Sequence, residues 1–360
     1  MASPVDLPPA PRGIKGRATE LNTLSKTVEA TAPTRLALVG AGGSGKSMLA
    51  NALAHRLARF FRGQVSWFRV GSWDFYTLTE MLALRFGLPG GDDRVARLRA
   101  FFERTGPRLI VFDNHEDDHV MARLLDSFAN TPVTFVITAR RCLLAGVLIF
   151  PVTAPLVTTG RSAFPRVARL TPMLRWNPLA LDIADAIVAS GAGTVSELFA
   201  FLEKRGVWRV RAVEHEDDLP EIAFLVDWVW RKLPSPSRRI LAVLARIEGD
   251  HVDLASLEAL ANIRKRFSSA LEPLVRWRLV QEPVAHRYTL HAVVRHAVSR
   301  RTTFAPELVF EHYVSLLEAQ PERLNLEQTH LFAAMDYAHR TNHLDGMLRV
   351  EALGRRLAGR

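Results

Sequence analysis

Between residues 35 and 157 the chain alternates short apolar runs with amphipathic stretches. The runs at 36–39, 65–70, 109–112 and 134–138 are almost wholly apolar, which predicts strands buried on both faces. Apolar residues at helical spacing over 46–61, 77–86, 93–104 and 118–129 predict helices between the strands. Such an order specifies an α/β fold with a parallel sheet and helices on both faces, because parallel neighbours need a crossover between them. Ahead of the first strand, Leu21, Leu24 and Val28 mark one more helix.

The alternation stops at Arg161, and helices dominate from there. Asn177-Pro178-Leu179-Ala180-Leu181 leads into an apolar helix through Val188, with proline suited to a first turn. A helical segment ends near Arg205, and the charged stretch 206–218 reads as a linker. Amphipathic helices over 237–247, 254–261 and 265–277, followed by β-like runs at 279–282 and 286–290, give the helix-helix-helix-wing order of a winged helix. Beyond 304, Leu331, Ala334, Tyr337, Leu348, Leu353 and Leu357 sit at helix-contact spacing, as at the start of a TPR-like repeat array. No polar cap helix follows them, so they are expected either to continue in a longer protein or to pack back on the body. The expected organisation is a disordered lead-in (1–13), a sheet domain (14–160), a helical domain with linker (161–220), a winged helix (221–303) and a helical segment (304–360).

Composition narrows the class. No apolar run approaches the ~20 residues that span a bilayer, and the proline-rich N-terminus lacks a signal-peptide core, so a cytoplasmic protein without membrane contact is expected. One cysteine, Cys142, excludes an internal disulfide framework and a cysteine zinc cluster. The net charge of +10 comes from 41 Arg and 6 Lys spread along the chain, which suits an anionic partner such as DNA or reflects Arg-rich coding alone. In the third helix of the winged-helix pattern Arg264, Lys265, Arg266, Arg276 and Arg278 are either DNA-facing or a solvated face.

The most specific chemistry lies where the first strand breaks. Gly40-Ala41-Gly42-Gly43-Ser44-Gly45-Lys46-Ser47-Met48 follows an apolar strand and opens a helix, the context a phosphate-binding loop requires. Glycines let successive amide N–H groups turn toward anionic oxygens, and the helix adds its dipole. Lys46 is expected on the β- and γ-phosphates of ATP or ADP, and the Ser47 hydroxyl on Mg²⁺. The third strand, Leu109-Ile110-Val111-Phe112, delivers Asp113 at its carboxyl end, the natural second ligand for Mg²⁺. Many ATPases carry a second acid directly after that aspartate. Here it is Asn114, with Glu116, Asp117 and Asp118 nearby, so slow turnover is expected. The fourth strand ends in Thr138-Ala139-Arg140, and a guanidinium there could sense the γ-phosphate.

Taken in order, Gly-Arg-x-x-Glu-Leu (16–21), the phosphate loop, Leu-Ile-Val-Phe-Asp-Asn, Ile-Thr-Ala-Arg, Asn-Pro-Leu-Ala-Leu, the winged-helix pattern and Tyr-Thr-Leu-His-Ala-Val-Val-Arg (288–295) resemble the STAND class of P-loop NTPases. Within it the chain looks most like bacterial regulators related to the apoptotic and plant-resistance (NB-ARC) modules. The resemblance implies a switch that ADP holds closed and ATP opens toward self-association; which protein partner or effector it controls is not encoded in the sequence. It implies Pro178 against the adenine, His291 near the β-phosphate and Arg140 as γ-phosphate sensor. Two departures stand out: Leu-His-Ala where eukaryotic members show Met-His-Asp, and Leu-Ile-Phe-Pro-Val-Thr-Ala-Pro-Leu (148–156) where the helical lead-in to Asn-Pro-Leu-Ala-Leu is expected to be trimmed. The rival readings are an AAA-type ATPase that binds DNA through its winged helix, and a scaffold that holds nucleotide without turnover.

Overall fold

The computed structural model describes residues 7–11, 16–71, 73–89, 92–153, 164–206, 219–248, 251–263 and 265–358; most of the expected linker, and Arg264, lie outside them. Strands β1 (Arg35–Val39), β2 (Val65–Arg69), β3 (Arg108–His115), β4 (Val133–Ala139) and β5 (Leu148–Pro151) form one parallel sheet in the order β2-β3-β4-β1-β5. All seven residues of β4 are buried, as its central place requires. Four of the strands are those the apolar runs predict. The fifth, within the 148–156 stretch where a trimmed helical lead-in is expected, is an exposed edge strand ending in Pro151, a position where a missing N–H is tolerated.

Helices α1 (Ala18–Thr31), α2 (Lys46–Leu57), α3 (Phe75–Arg85), α4 (Arg94–Thr105) and α5 (Asp118–Ser127) flank the sheet. Successive strand side chains point to opposite faces. Leu36 and Leu38 therefore enter a core with α1 and α2, while Ala37, Ile110 and Phe112 enter the opposite core with α3, α4 and α5. In that second core Phe112 and Phe135 stack across β3 and β4 with ring centres 5.8 Å apart.

A 3₁₀ segment (Pro165–Leu170) leads into α6 (Pro178–Ala189), α7 (Val195–Lys204) and α8 (Pro220–Lys232). There follow α9 (Ser235–Arg246), β6 (Val252–Asp253), α10 (Leu254–Ala261), α11 (Phe267–Arg276), β7 (Val280–Val284), β8 (Arg287–Leu290) and α12 (Ala292–Ser299). Helices α9, α10 and α11 with the antiparallel sheet β6-β8-β7 have the helix-helix-helix-wing order, extended by a short first strand. One hydrophobic core runs from Val167 through α6, α8 and α9 to Val298, so the helical and winged-helix segments share their interior.

The last helices, α13 (Pro306–Ala319), α14 (Gln328–Arg340) and α15 (Leu344–Ala358), fold back: Phe332, Met335 and Leu353 enter the same core as Phe68 and Leu82, and Trp73 meets Phe332 edge-on at 6.4 Å. Between them and the wing lies a buried ionic knot. Glu327, fully buried ahead of α14, accepts from Arg287 Nη1 and Nη2 on β8 (2.9 and 2.6 Å) and from Arg323 Nη2 (2.7 Å). Arg287 Nε donates to His251 Nδ1 at 2.6 Å, and His330 Nε2 lies 2.9 Å from the His251 carbonyl. Burial alone would raise the Glu327 carboxyl pKa, but the hydrogen bonds from Arg287 and Arg323 hold it below the usual value. Removing one member strands the buried charge of another, so Glu327→Ala is expected to cost about 3–5 kcal/mol of unfolding free energy in urea titrations. Replacing both partners by apolar residues, Arg287→Met with Glu327→Leu, should recover most of that loss. A loss below about 1 kcal/mol, the range of exposed pairs, would contradict the picture of a buried knot.

Candidate functional site

The loop between β1 and α2 is held from every side. Gly43 and Gly45 adopt left-handed backbone (φ 73° and 93°), which side-chain-bearing residues rarely enter, and Gly45 is the residue from which α2 starts. Gly42 is needed for space: a Cβ there would stand 2.5 Å from Val293 Cγ2 and 2.9 Å from Leu219 Cδ1. A Cβ on Gly43 would lie 2.7 Å from Asn177 Oδ1. The starts of α6 and α12 thus rest directly on the loop. Asn177 caps α6 by accepting from Leu179 N and Ala180 N, and its Nδ2 donates to the Gly42 carbonyl at 3.1 Å.

A further clamp escaped sequence reasoning. Arg17, 1% exposed, donates through Nη2 to the carbonyls of Ser44 (2.6 Å) and Thr153 (2.5 Å), and through Nη1 to Glu20 Oε1 (2.7 Å). It fastens the loop to the start of α1 and to the chain leaving β5. The Gly-Arg-x-x-Glu-Leu motif was a visible signal, but the loop contact spans 27 residues and has no local signature.

On the acidic side, Asp113 is nearly buried and its Oδ1 accepts from Thr138 Oγ1 on β4 at 2.6 Å. The same hydroxyl accepts from Asn114 N at 2.9 Å, so Thr138 fixes both residues. Asn114 is left-handed (φ 61°) at an irregularity in the β3–β4 ladder, and its Nδ2 donates to Glu116 Oε1 at 2.8 Å. The other nearby acids are engaged elsewhere. Asp117 caps α5, while Asp118 accepts from Leu143 N and faces His115 Nε2 at 2.9 Å. Of these three acids only Glu116 lines the neighbouring cavity, where Asp182 of α6 is a further carboxylate on the wall.

These elements enclose a cavity of about 510 Å³, lined by Gly42, Gly43, Gly45, Lys46, Ser47, Met48, Asp113, Arg140, Pro178 and His291, with Arg69, Glu116 and Thr138 among the rest of its wall. The structure therefore gathers the expected residues from five separate parts of the chain: the loop, the ends of β3 and β4, and the starts of α6 and α12. Gly40, Ala41 and Ser44 do not line it. The carbonyls of Gly40 and Ala41 accept from Lys46 Nζ (2.8 and 2.9 Å), and the Ser44 hydroxyl is buried with no hydrogen-bond partner among the described residues.

The electrostatics are those of a site built for an anion. Burial, with Arg140 adding to it and Asp113 opposing, lowers the Lys46 pKa to about 8. Burial, with Arg69 and Lys46 next in weight, lowers the His291 pKa to about 4, so the imidazole is neutral near pH 7 and its Nδ1 accepts from Val293 N at 3.3 Å, capping α12. A glycine cradle at a helix start, a lysine whose ammonium falls back on its own loop, and clustered Arg69 and Arg140 fit a phosphate chain. Ser47 and Asp113 open on the same cavity and could hold Mg²⁺. Among the described residues no group of three or more His, Cys, Asp or Glu could hold a metal ion, and no helix is long and apolar enough to cross a membrane.

A parallel sheet whose first strand opens into this loop, with Asp113 two strands away, defines a P-loop NTPase fold. The chain is similar to a STAND protein with a tetratricopeptide repeat sensor from Pyrococcus horikoshii, at 18% identity and a TM-score of 0.58, over 99% of this chain and 55% of that one. It thus spans about half the length of that relative. Looser similarities link it to the ORC1 protein of Aeropyrum pernix in complex with DNA (18% identity, TM-score 0.34, 82% of this chain and 95% of that one) and to Drosophila ORC bound to DNA (15% identity, TM-score 0.38, 82% and 90%). No family model and no curated protein matches the sequence.

The Lys46 environment predicts a pH dependence. An anion binds the ammonium form, so ADP affinity should be flat below the free-state pKa of about 8 and fall above it, with a limiting slope of about tenfold per pH unit. Calorimetric titration between pH 6 and pH 10 checks this. Constant affinity throughout would show that Lys46 does not meet the ligand.

Proposed function

We propose that the protein is an ATP/ADP-binding regulatory switch whose nucleotide is covered by two later segments of the chain, with slow Mg²⁺-dependent hydrolysis. The observation that carries this reading is the contact of α6 and α12 with the loop at Gly42 and Gly43, because a cover made of separate segments must lift for nucleotide to exchange. Lys46 and the loop amides would bind the phosphates, Pro178 and Leu179 would lie along the base, and Ser47 with Asp113 would hold Mg²⁺. The metal would neutralise charge between the phosphates. Thr138 orients Asp113, and Arg140, just past the end of the strand between Asp113 and the loop, would report the γ-phosphate.

Slow turnover follows from the acid available to activate water. Asn114 carries no charge, and Glu116 is exposed, its carboxylate accepting from the Asn114 amide. A group so loosely placed gives weak general-base catalysis. His291 would face the phosphates as a neutral ligand from α12, coupling nucleotide state to the winged-helix segment. Opening would expose apolar surface at Val293 and Leu179 and favour self-association. A nucleotide can bias this equilibrium only as far as it binds the two forms with different affinity.

His291→Ala removes both the α12 cap and the proposed phosphate contact, so ADP release, followed by displacement of a fluorescent ADP analogue, should accelerate by about tenfold or more. An unchanged off-rate would remove His291 from the latch.

A further inference from the structure

Behind the wall formed by Arg69, Asn114, Glu116 and Arg140 lies a second cavity, of about 560 Å³, reaching outward between α9, α12 and α14. Its walls carry five guanidinium groups, from Arg69, Arg140, Arg246, Arg295 and Arg340, which come from β2, the end of β4, α9, α12 and α14. Opposing them are Glu116 and Glu248 on the walls and Asp336 behind Arg340, to which Arg340 Nε lies at 2.5 Å. Among the described residues of this wall, with Asp336, five guanidinium groups stand against three carboxylates, an excess of two positive charges. Guanidinium groups stay protonated, so this excess cannot be relieved by titration near neutrality. Arg246 Nε is buried with no hydrogen-bond partner among the described residues. Tyr337 provides an aromatic wall at the outer end.

From this convergence we propose that the second cavity is a binding site for a phosphoryl dianion, distinct from the phosphate loop and separated from it by Arg69 and Arg140. Forked N–H donors arriving from separate elements match the several oxygens of a tetrahedral phosphate better than they match a single carboxylate. A volume of about 560 Å³ accommodates a small organic phosphate as readily as orthophosphate. Because its arginines sit on the sheet, the winged-helix segment and α14, a bound dianion would draw these three parts together. Orthophosphate leaving the neighbouring site and an independent organic phosphate are two sources of one chemistry.

The test is equilibrium dialysis of labelled orthophosphate against the full chain saturated with ADP, with ribose 5-phosphate as competitor. The expected result is one orthophosphate per chain beyond the nucleotide, weakened about tenfold or more in Arg246→Gln/Arg295→Gln while ADP affinity is kept. Arg246→Lys, which retains the charge, should bind at an intermediate strength and control for folding. Displacement by ribose 5-phosphate at lower concentration than by unlabelled orthophosphate would identify an organic ligand, and the reverse order would identify the released product. The site does not depend on the nucleotide reading, so Lys46→Ala without nucleotide should still take up orthophosphate. Absence of binding to the ADP-saturated protein, or equal binding by the double variant, would overturn the proposal.

Discussion

The structure depends on how closely the chain approaches its own glycine loop. At Gly42 the absence of a side chain lets Val293 and Leu219 rest on the backbone, and at Gly43 it admits Asn177. These contacts bring a cluster of positive charge under a protein roof, and its cost is visible in Lys46, whose ammonium turns back to the carbonyls of Gly40 and Ala41. A phosphate chain would relieve that strain electrostatically, since opposite charge is worth most where water is excluded. The need for an anion and the closed arrangement of the later segments thus have the same physical origin.

That arrangement extends beyond the loop. Helix α12, capped by His291, shares its core with α8 and α9, and β8 immediately before it carries Arg287 into the knot with Glu327. From there α14 reaches the flank of α3, whose Leu82 shares a core with Phe112 on β3, next to Asp113. A continuous path of packed and ion-paired groups therefore runs from one side of the cavity around to the other. Lifting of α12 would therefore have to be taken up along this path, at the Arg287–Glu327 knot or where α14 meets α3.

Much of this was legible in the sequence, and the residues themselves explain where legibility ended. β3 and β4 are buried on both faces and read as plain apolar runs; β5 is exposed and closes with Pro151, which reads as loop. β6 is two residues long and too short to carry a period. The phosphate loop announces itself because its residues are contiguous. Arg17, Thr138 and Asn177 do not, because each acts through partners 25 to 136 positions away in the chain. Asn114 in place of an acid was plain from the strand, whereas the engagement of Asp117 and Asp118 elsewhere, leaving Glu116, required the helix cap and the Leu143 contact to be seen.

The central claim is that the loop is closed by the start of α12, and a covalent lock tests it most directly. A Cβ placed on Gly42 would stand 3.7 Å from Val293 Cβ, within the ~3.5–4.5 Å that a disulfide spans. In a Gly42→Cys/Val293→Cys/Cys142→Ser protein loaded with fluorescent ADP, oxidation should slow nucleotide release strongly, and a reducing agent should restore it. Equal release rates from the oxidised and reduced protein would mean that nucleotide leaves without α12 lifting, and the account would be wrong.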